Sequence, residues 1–411
     1  MTDYYDDLET RDPEAREAAL MAALPGQVAR AQNDAPGFAK ILTGIDAAGM
    51  NSRTALATLP VTRKSDLIGL QAGDPPFGGL IATPARELRR LFLSPGPIAE
   101  PEGRGEDWWR IGRALFAGGF RKGDIVHNCF SYHFTPAGMM LEAGAHAVGC
   151  AVFPGGVGNS EDQARAMAHF RPDGYVGTPD FLQVILDKAA ELKLDISSCR
   201  KAVVSGGALF PDMRARYAEQ GIAVVQCYGT ADLGLVAYES DAMEGMIADE
   251  GVILEIVRPG TGDPVPVGDV GEVVVTALNP DYPLIRFGTG DLSAILPGVS
   301  PCGRTAPRIK GWMGRADQTT KVRGMFIHPE QVDRVAKRHP EIGKVRLVVG
   351  NENGQDTMVL RCEAKSDDDA FAAAVADSIQ TECKLRGAVE LVPPGSLPND
   401  GKVIDDTRAY G

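Results

Sequence analysis

Three short loops carry residue types that could do chemistry on an anionic ligand. Two of them, "SGGALFP" after "KAVV" and "YGTADLG" after "AVVQC", follow strand-like runs, where ligands of parallel α/β sheets gather. The third, "FLSPGPIAEPEGR" (92–104), stands where a mononucleotide-binding chain often places its phosphate loop. Such loops work by converging backbone N–H groups on the anion, with Ser or Thr hydroxyls adding to the grip. Pro95 and Pro97 have no N–H to give. Glu100, Glu102, Glu106 and Asp107 outnumber Arg104, so the local charge repels a polyphosphate, and the stretch reads as a rigid surface turn. Amides at a helix N-terminus near Gly103 to Asp107 offer a partial substitute, against which the neighbouring acids argue.

Single residues elsewhere have bland readings that have to be weighed. Asp291, after "GTG", is by default a turn residue, and Lys402, near the C-terminus, a solvated one. His133 in "SYHFTPAG" is more often a satisfied, half-buried histidine than an acid or base. Trp108 and Trp109 read as helix packing.

The elements that position these residues follow from the pattern. From about 107 to 230, short β-branched runs alternate with amphipathic segments of 10 to 15 residues, which implies βαβ units and a largely parallel sheet covered on both faces. From about 252 to 300 the texture is β-rich, with Pro/Gly/Asp turns and no long helix. The last 95 or so residues read as a small α+β domain, with the hinge near Asp317. The expected fold class is therefore α/β: a large domain over 1–316 with mainly parallel sheets and a β-rich subdomain, then a small mobile domain over 317–411.

Composition bounds the function. The 411 residues are 44% hydrophobic and 24% charged, ordinary for a globular protein, and long enough for two domains. A net charge of −13 disfavours nucleic acid or an anionic membrane as partner. No run approaches the roughly 18 apolar residues of a membrane span, and the acidic N-terminus lacks a signal core. Seven scattered cysteines without a C-x-x-C pair argue against a disulfide framework or thiolate zinc site and fit a reducing cytoplasm.

Four islands, "YGTAD" (228–232), "IRFGTGDL" (285–292), "GRADQTTKVRG" (314–324) and "GKVIDD" (401–406), together resemble the adenylate-forming (AMP-binding) superfamily, and within it the phenylacetate-CoA ligase branch. "YYDDLETRDPEAREA", "LPVTRKSDL" and "CGRTAPRIKGWMGRADQTTKVRG" are similar to that branch as well. The resemblance implies an acid–thiol ligase that uses ATP and Mg²⁺ to turn a carboxylic acid, with an aromatic one expected, into an acyl-adenylate, which CoA then attacks. It implies that Tyr228 stacks on adenine, Thr230 reaches the α-phosphate or acyl oxygen, and Asp232 holds Mg²⁺. Asp291 would accept from the ribose hydroxyls, Arg315 would sit against ribose and phosphate, and Lys402 would be the cation of the first half-reaction. Gly206, Gly207, Ala208, Gly229, Lys321 and Gly324 complete the implied nucleotide site. Tyr132, His133 and Phe134 would wall the acyl pocket, and a homodimer is the default assembly.

Three departures mark this chain: the altered loop at 92–104, Asp232 where the branch has Glu, and a C-terminal "GKVIDDTR" shortened by two or three residues. The adenosine end of the site reads as intact and the polyphosphate end as altered. Two alternatives stand beside the ligase: adenylation with another acceptor, such as an amine or a nucleotidylated cofactor, and a degenerate member binding AMP or a CoA thioester without adenylate chemistry.

Overall fold

The computed structural model describes residues 4–207, 209–316, 318, 320–322, 325–352, 355–365 and 368–408. After the short strand β1 (Thr62–Arg63), a hairpin forms from β2 (Arg90–Ser94) and β3 (Ile98–Glu102). Then come β4 (Ile125–Asn128), β5 (Ala151–Phe153), β6 (Gly174–Gly177), β7 (Lys201–Val204), β8 (Ala223–Thr230), β9 (Gly234–Tyr238) and β10 (Met246–Ala248). β4 to β8 are parallel and helices join them, as the alternating pattern demands. Past β8 the sheet turns antiparallel through β9 and β10.

The β-rich stretch supplies β11 (Val252–Val257), β12 (Gly271–Ala277), β13 (Phe287–Ser293), β14 (Ile295–Leu296) and β15 (Arg308–Ile309). β15 and β14 extend the main sheet to nine strands, ordered β14-β15-β10-β9-β8-β7-β6-β4-β5, while β1-β13-β12-β11 form a second sheet. The C-terminal part holds the hairpin β16 (Thr320–Val322) and β17 (Met325–Ile327), then β18 (Val345–Glu352), β19 (Gln355–Glu363), β20 (Ala388–Val392) and β21 (Ile404–Asp406), with sheet order β20-β19-β18-β21. The class is mixed α/β, as expected.

The covering helices begin where sequence rules put them. Pro179 and Pro211 occupy the first turns of Pro179–Glu191 and Pro211–Glu219, where a missing N–H costs nothing. Gly149, at φ 94°, ends Ala137–Val148 in the left-handed region. Tyr175, Leu182, Ile185, Val204 and Val224 are among the fully or nearly fully buried residues of the resulting core, each stabilising the fold by roughly 1.5–3 kcal/mol. A separate core under β18 and β19 gathers Val332, Val335, Leu347, Val349, Leu360 and Ile379.

The chain divides into two compact units: 1–254 with 274–289 and 295–312, and 255–273 with 290–294 and 313–411. The division runs through β11, β12 and β13. The expected hinge residue Asp317 lies outside the described residues.

Candidate active site

The first unit brings four loops to the carboxyl edge of the parallel strands. β7 and β8 are neighbours, Val204 opposite Gln226, so the loops that leave them start side by side. Ser205 Oγ donates to the carbonyl of Cys227 at 2.8 Å, and Ser205 N–H donates to Gly177 O at 3.1 Å. Gly206 sits at φ 70°, and a Cβ there would lie 3.7 Å from both Phe130 and Thr178. The expected residues Gly206, Gly207, Tyr228, Gly229 and Thr230 therefore share one rim with the ends of β4 and β6. Ala208 lies outside the described residues.

"YGTADLG" is the tight connection of the β8–β9 hairpin, with a register shift between Tyr228 and Gly229. Thr230 Oγ1 accepts from Leu233 N–H at 3.1 Å, which leaves its own proton to donate elsewhere. Gly234 has φ 73°, and a Cβ would stand 2.6 Å from the carbonyl oxygen of Trp109, so the turn admits no larger residue without backbone movement. The turn's position is fixed from below by a buried wall of tryptophan.

Of the expected pocket walls, Tyr132 is half-buried and its hydroxyl is already engaged, accepting from Asn128 Nδ2 and donating to Glu142 Oε2, each at 2.8 Å. His133 and Phe134 are exposed. Phe134 takes φ 62°, and its carbonyl accepts from Leu93 N–H at 2.8 Å. The two loops, 131–135 and 92–104, are thus sewn together.

Only the tip of the stretch 92–104, Pro95 to Pro97, is the exposed turn its composition implied; the acids that follow within it are not on the surface. The stretch is a five-residue-pair hairpin in which Ile98, Glu100, Pro101 and Glu102 are buried. The alternation of β3 turns Ile98, Glu100 and Glu102 to one face, and that face is inward. Glu102 receives a two-fold hydrogen bond from Arg90 at 2.9 and 2.8 Å. Gln71 clamps the strand, donating to Ala99 O at 2.9 Å and accepting from Ala99 N–H at 2.8 Å. The helix N-terminus proposed as a substitute is also taken: the helix begins at Gly112, and Asp107 accepts from the N–H groups of Ile111 and Gly112, each at 2.8 Å. Burial nevertheless pushes the Asp107 carboxyl up to about 6.

Sequence reading missed the corner that this hairpin builds. Glu100, fully buried, accepts from Ser94 Oγ at 2.6 Å through Oε2. Asp232, also buried, takes the Lys64 ammonium at 2.6 Å on Oδ2. Glu100 Oε1, Asp232 Oδ1 and the hydroxyl of the fully buried Tyr282 have no hydrogen-bond partner among the described residues. Burial, reinforced by the Asp232 charge, pushes the Glu100 carboxyl up to about 7 despite the Ser94 bond. Lys64 lies 168 residues from Asp232 in the chain, and no local pattern signals that pairing.

The second unit joins the other three islands. Asp291 and Arg315 pair across a short antiparallel ladder, with Leu292 N–H to Gly314 O at 2.9 Å and Ala316 N–H to Gly290 O at 2.7 Å. Their side chains form an ion pair of 2.8 Å. Gln318 reaches the last island, donating to Gly401 O at 2.9 Å and accepting from Ile404 N–H at 2.8 Å. Arg315, Gln318, Lys402 and Asp405 line one cleft of about 340 Å³. There the Lys402 ammonium is held by Asp405 at 2.8 Å. Lys321 lies on β16, and its side chain and Gly324 are outside what is described.

Two family models match, "AMP-binding enzyme" over residues 108–279 and "AMP-binding enzyme C-terminal domain" over 324–407. The chain is 28% identical to a phenylacetate-coenzyme A ligase of Thermus thermophilus over 96% of either chain. It is 27% identical to one of Escherichia coli over 88% of this chain and 85% of the relative. The chain belongs to the adenylate-forming, AMP-binding enzyme family. Its fold agrees with a crystal structure of 2-hydroxyisobutyryl-CoA ligase in the postadenylation state, with TM-score 0.72 and 26% identity over 99% of this chain and 94% of that one. A second structure of that ligase, with 2-HIB-AMP and CoA in the thioesterification state, matches with TM-score 0.71 and 27% identity over 97% and 91%.

Membership of this family implies a divalent metal, and Asp232 was its expected ligand. The residues present do not fit that role. The Asp232 side chain has 0% exposure, and one of its oxygens is already neutralised by an ammonium. Mg²⁺ dehydrates reluctantly and keeps several waters, for which a closed carboxylate leaves no room. Among the described residues no group of three or more His, Cys, Asp or Glu side chains is placed to hold a metal. No described helix is long and apolar enough to cross a membrane, and all seven cysteines are buried and free.

Proposed function

We propose that the protein activates a carboxylic acid as its acyl-adenylate at the expense of ATP and transfers the acyl group to CoA. Adenylate-forming CoA ligases use ATP, Mg²⁺ and CoA, and the structural relatives bear an acyl-AMP intermediate and CoA. The observation that carries the reading is the tie between "SGG" and "YGT": the Ser205–Cys227 bond sets the two adenylate loops of the first unit side by side on one rim. On this reading Tyr228 stacks on the adenine, and Thr230 donates its free proton to the α-phosphate or acyl oxygen. Gly206, Gly207 and Gly229 keep the backbone close to the ligand, where a Cβ would intrude.

In the second unit Asp291 accepts from the ribose hydroxyls, Arg315 lies against ribose and phosphate, and Lys402 balances the charge that develops as carboxylate meets phosphate. Residues 317–411 form the small domain that carries Lys402. Aromatic acids are the first class to test, with Tyr132, His133 and Phe134 at the acyl end. A homodimer in a reducing cytoplasm is the expected state, in keeping with the free buried cysteines.

The test is ATP–pyrophosphate exchange over a panel of carboxylic acids, followed by thioester formation with and without CoA. Acid-dependent exchange with a product that requires CoA is the expected result. Exchange with an amine as the effective acceptor would overturn the CoA step, and no exchange with any acid would overturn the adenylation step.

A further inference from the structure

The corner under the β8–β9 turn contains one cation and two carboxylates, and only the cation faces outward. Lys64 retains 29% side-chain exposure, whereas Asp232 retains none and Glu100 is fully buried. An anion arriving at the turn therefore meets the ammonium, not the carboxylates. The ammonium has three N–H donors, and Asp232 accepts one of them. The hairpin that replaces a phosphate loop has prolines at 95 and 97 and keeps only the Gly96 N–H between them, too few donors to converge on a phosphate as a glycine loop does. Asp232 stands two residues beyond Thr230, so the ammonium that Asp232 holds is tied to the same turn that carries the residue read as the phosphate contact.

We propose that Lys64 is the resident cation of the adenylate site, with Asp232 and Glu100 acting to orient and balance it rather than to hold a divalent metal. The inference rests on reading the 228–232 turn as the place where the adenylate's phosphate lies. It gives the altered loop a physical purpose: Glu100 is the second carboxylate beneath an ammonium that takes over from loop amides.

Two measurements on the purified full chain test it. AMP binding is followed by calorimetry, and binding of Mn²⁺ in the presence of AMP by its electron paramagnetic resonance signal. Wild type is expected to bind AMP, Lys64→Met to bind it about ten- to a hundredfold more weakly, and Lys64→Arg to retain most of the affinity. Wild type should bind no Mn²⁺ beyond what AMP itself binds, whereas Lys64→Ala, which removes both the ammonium and the stem that covers Asp232, should acquire Mn²⁺ binding that adding Asp232→Asn removes.

Wild-type Mn²⁺ binding that Asp232→Asn abolishes would overturn the proposal, as would unchanged AMP affinity in Lys64→Met. Circular dichroism and thermal melting check that the variants fold, and the wild-type Mn²⁺ measurement decides the matter even if Lys64→Met does not. Failure of wild type to bind AMP at all would instead refute the adenylate reading on which the proposal stands.

Discussion

On the role proposed for Lys402, its replacement by Ala should separate the two half-reactions. In the structure its ammonium is bound to Asp405 at 2.8 Å but keeps 49% exposure, so the pair is worth at most about 1 kcal/mol and holds the lysine only loosely. Loss of the side chain should accordingly leave folding almost untouched. In the role proposed for it, the same ammonium would face charge that exists only in the transition state of adenylation, and removing such a donor costs about 2.7–4 kcal/mol, or a hundred- to a thousandfold in rate. Pyrophosphate exchange measures that step alone, and consumption of a supplied acyl-adenylate by CoA measures the other. Lys402→Ala should lose the first by the stated factor and keep the second within about threefold. Asp405→Asn releases the ammonium without removing it and should leave exchange equal or faster. Equal loss of both half-reactions in Lys402→Ala, or a collapse of exchange in Asp405→Asn, would refute the assignment.

Burial pushes the His127 imidazole down from its ordinary 6.5 to about 4, so below pH 6.5 the unfolded chain binds the proton the native state refuses. Stability should therefore fall with acid, and the difference between wild type and His127→Gln in urea unfolding should change by about 2 kcal/mol between pH 7.5 and pH 5. Gly234→Ala places a Cβ 2.6 Å from the Trp109 carbonyl at φ 73°, and a loss of about 2 kcal/mol or more should appear as a lower thermal midpoint. Tyr132→Phe deletes a hydroxyl shared by Asn128 and Glu142 and should destabilise by about 1–3 kcal/mol in the same assay. Ser205→Ala unties the two loops of the rim, and calorimetry should show a several-fold weaker grip on AMP.

What was legible in the sequence was whatever local pattern encodes. The alternation of apolar runs and amphipathic segments from 107 to 230 gave the parallel strands and their helices, because each strand buried on both faces must read as a continuous apolar run. "GTGD" and "GRAD" were recognisable as islands, and the glycines that flank the Asp291–Arg315 contact, Gly290 and Gly314, take φ 75° and 121°, where other residues are strained. The inward face of β3 was not legible, since acids in a proline-rich stretch default to the surface, and their burial depends on Ser94 and Arg90 meeting them across the hairpin and on Lys64 arriving from a distant segment. Asp107 was counted as a repelling surface charge, although at its spacing from Ile111 it satisfies a helix start. Long-range pairings such as Lys64–Asp232 leave no trace in either periodicity or composition.

The hairpin of β2 and β3 has a mechanical corollary. It is laced on one side by Gln71 and on the other by the carbonyl of Phe134, and it shields two carboxylates that open water would have to rehydrate. Such an element behaves as masonry instead of a flap, keeping its shape whether or not anything lies against it. An adenylate lying where it is proposed to lie would find this side of the rim already in place.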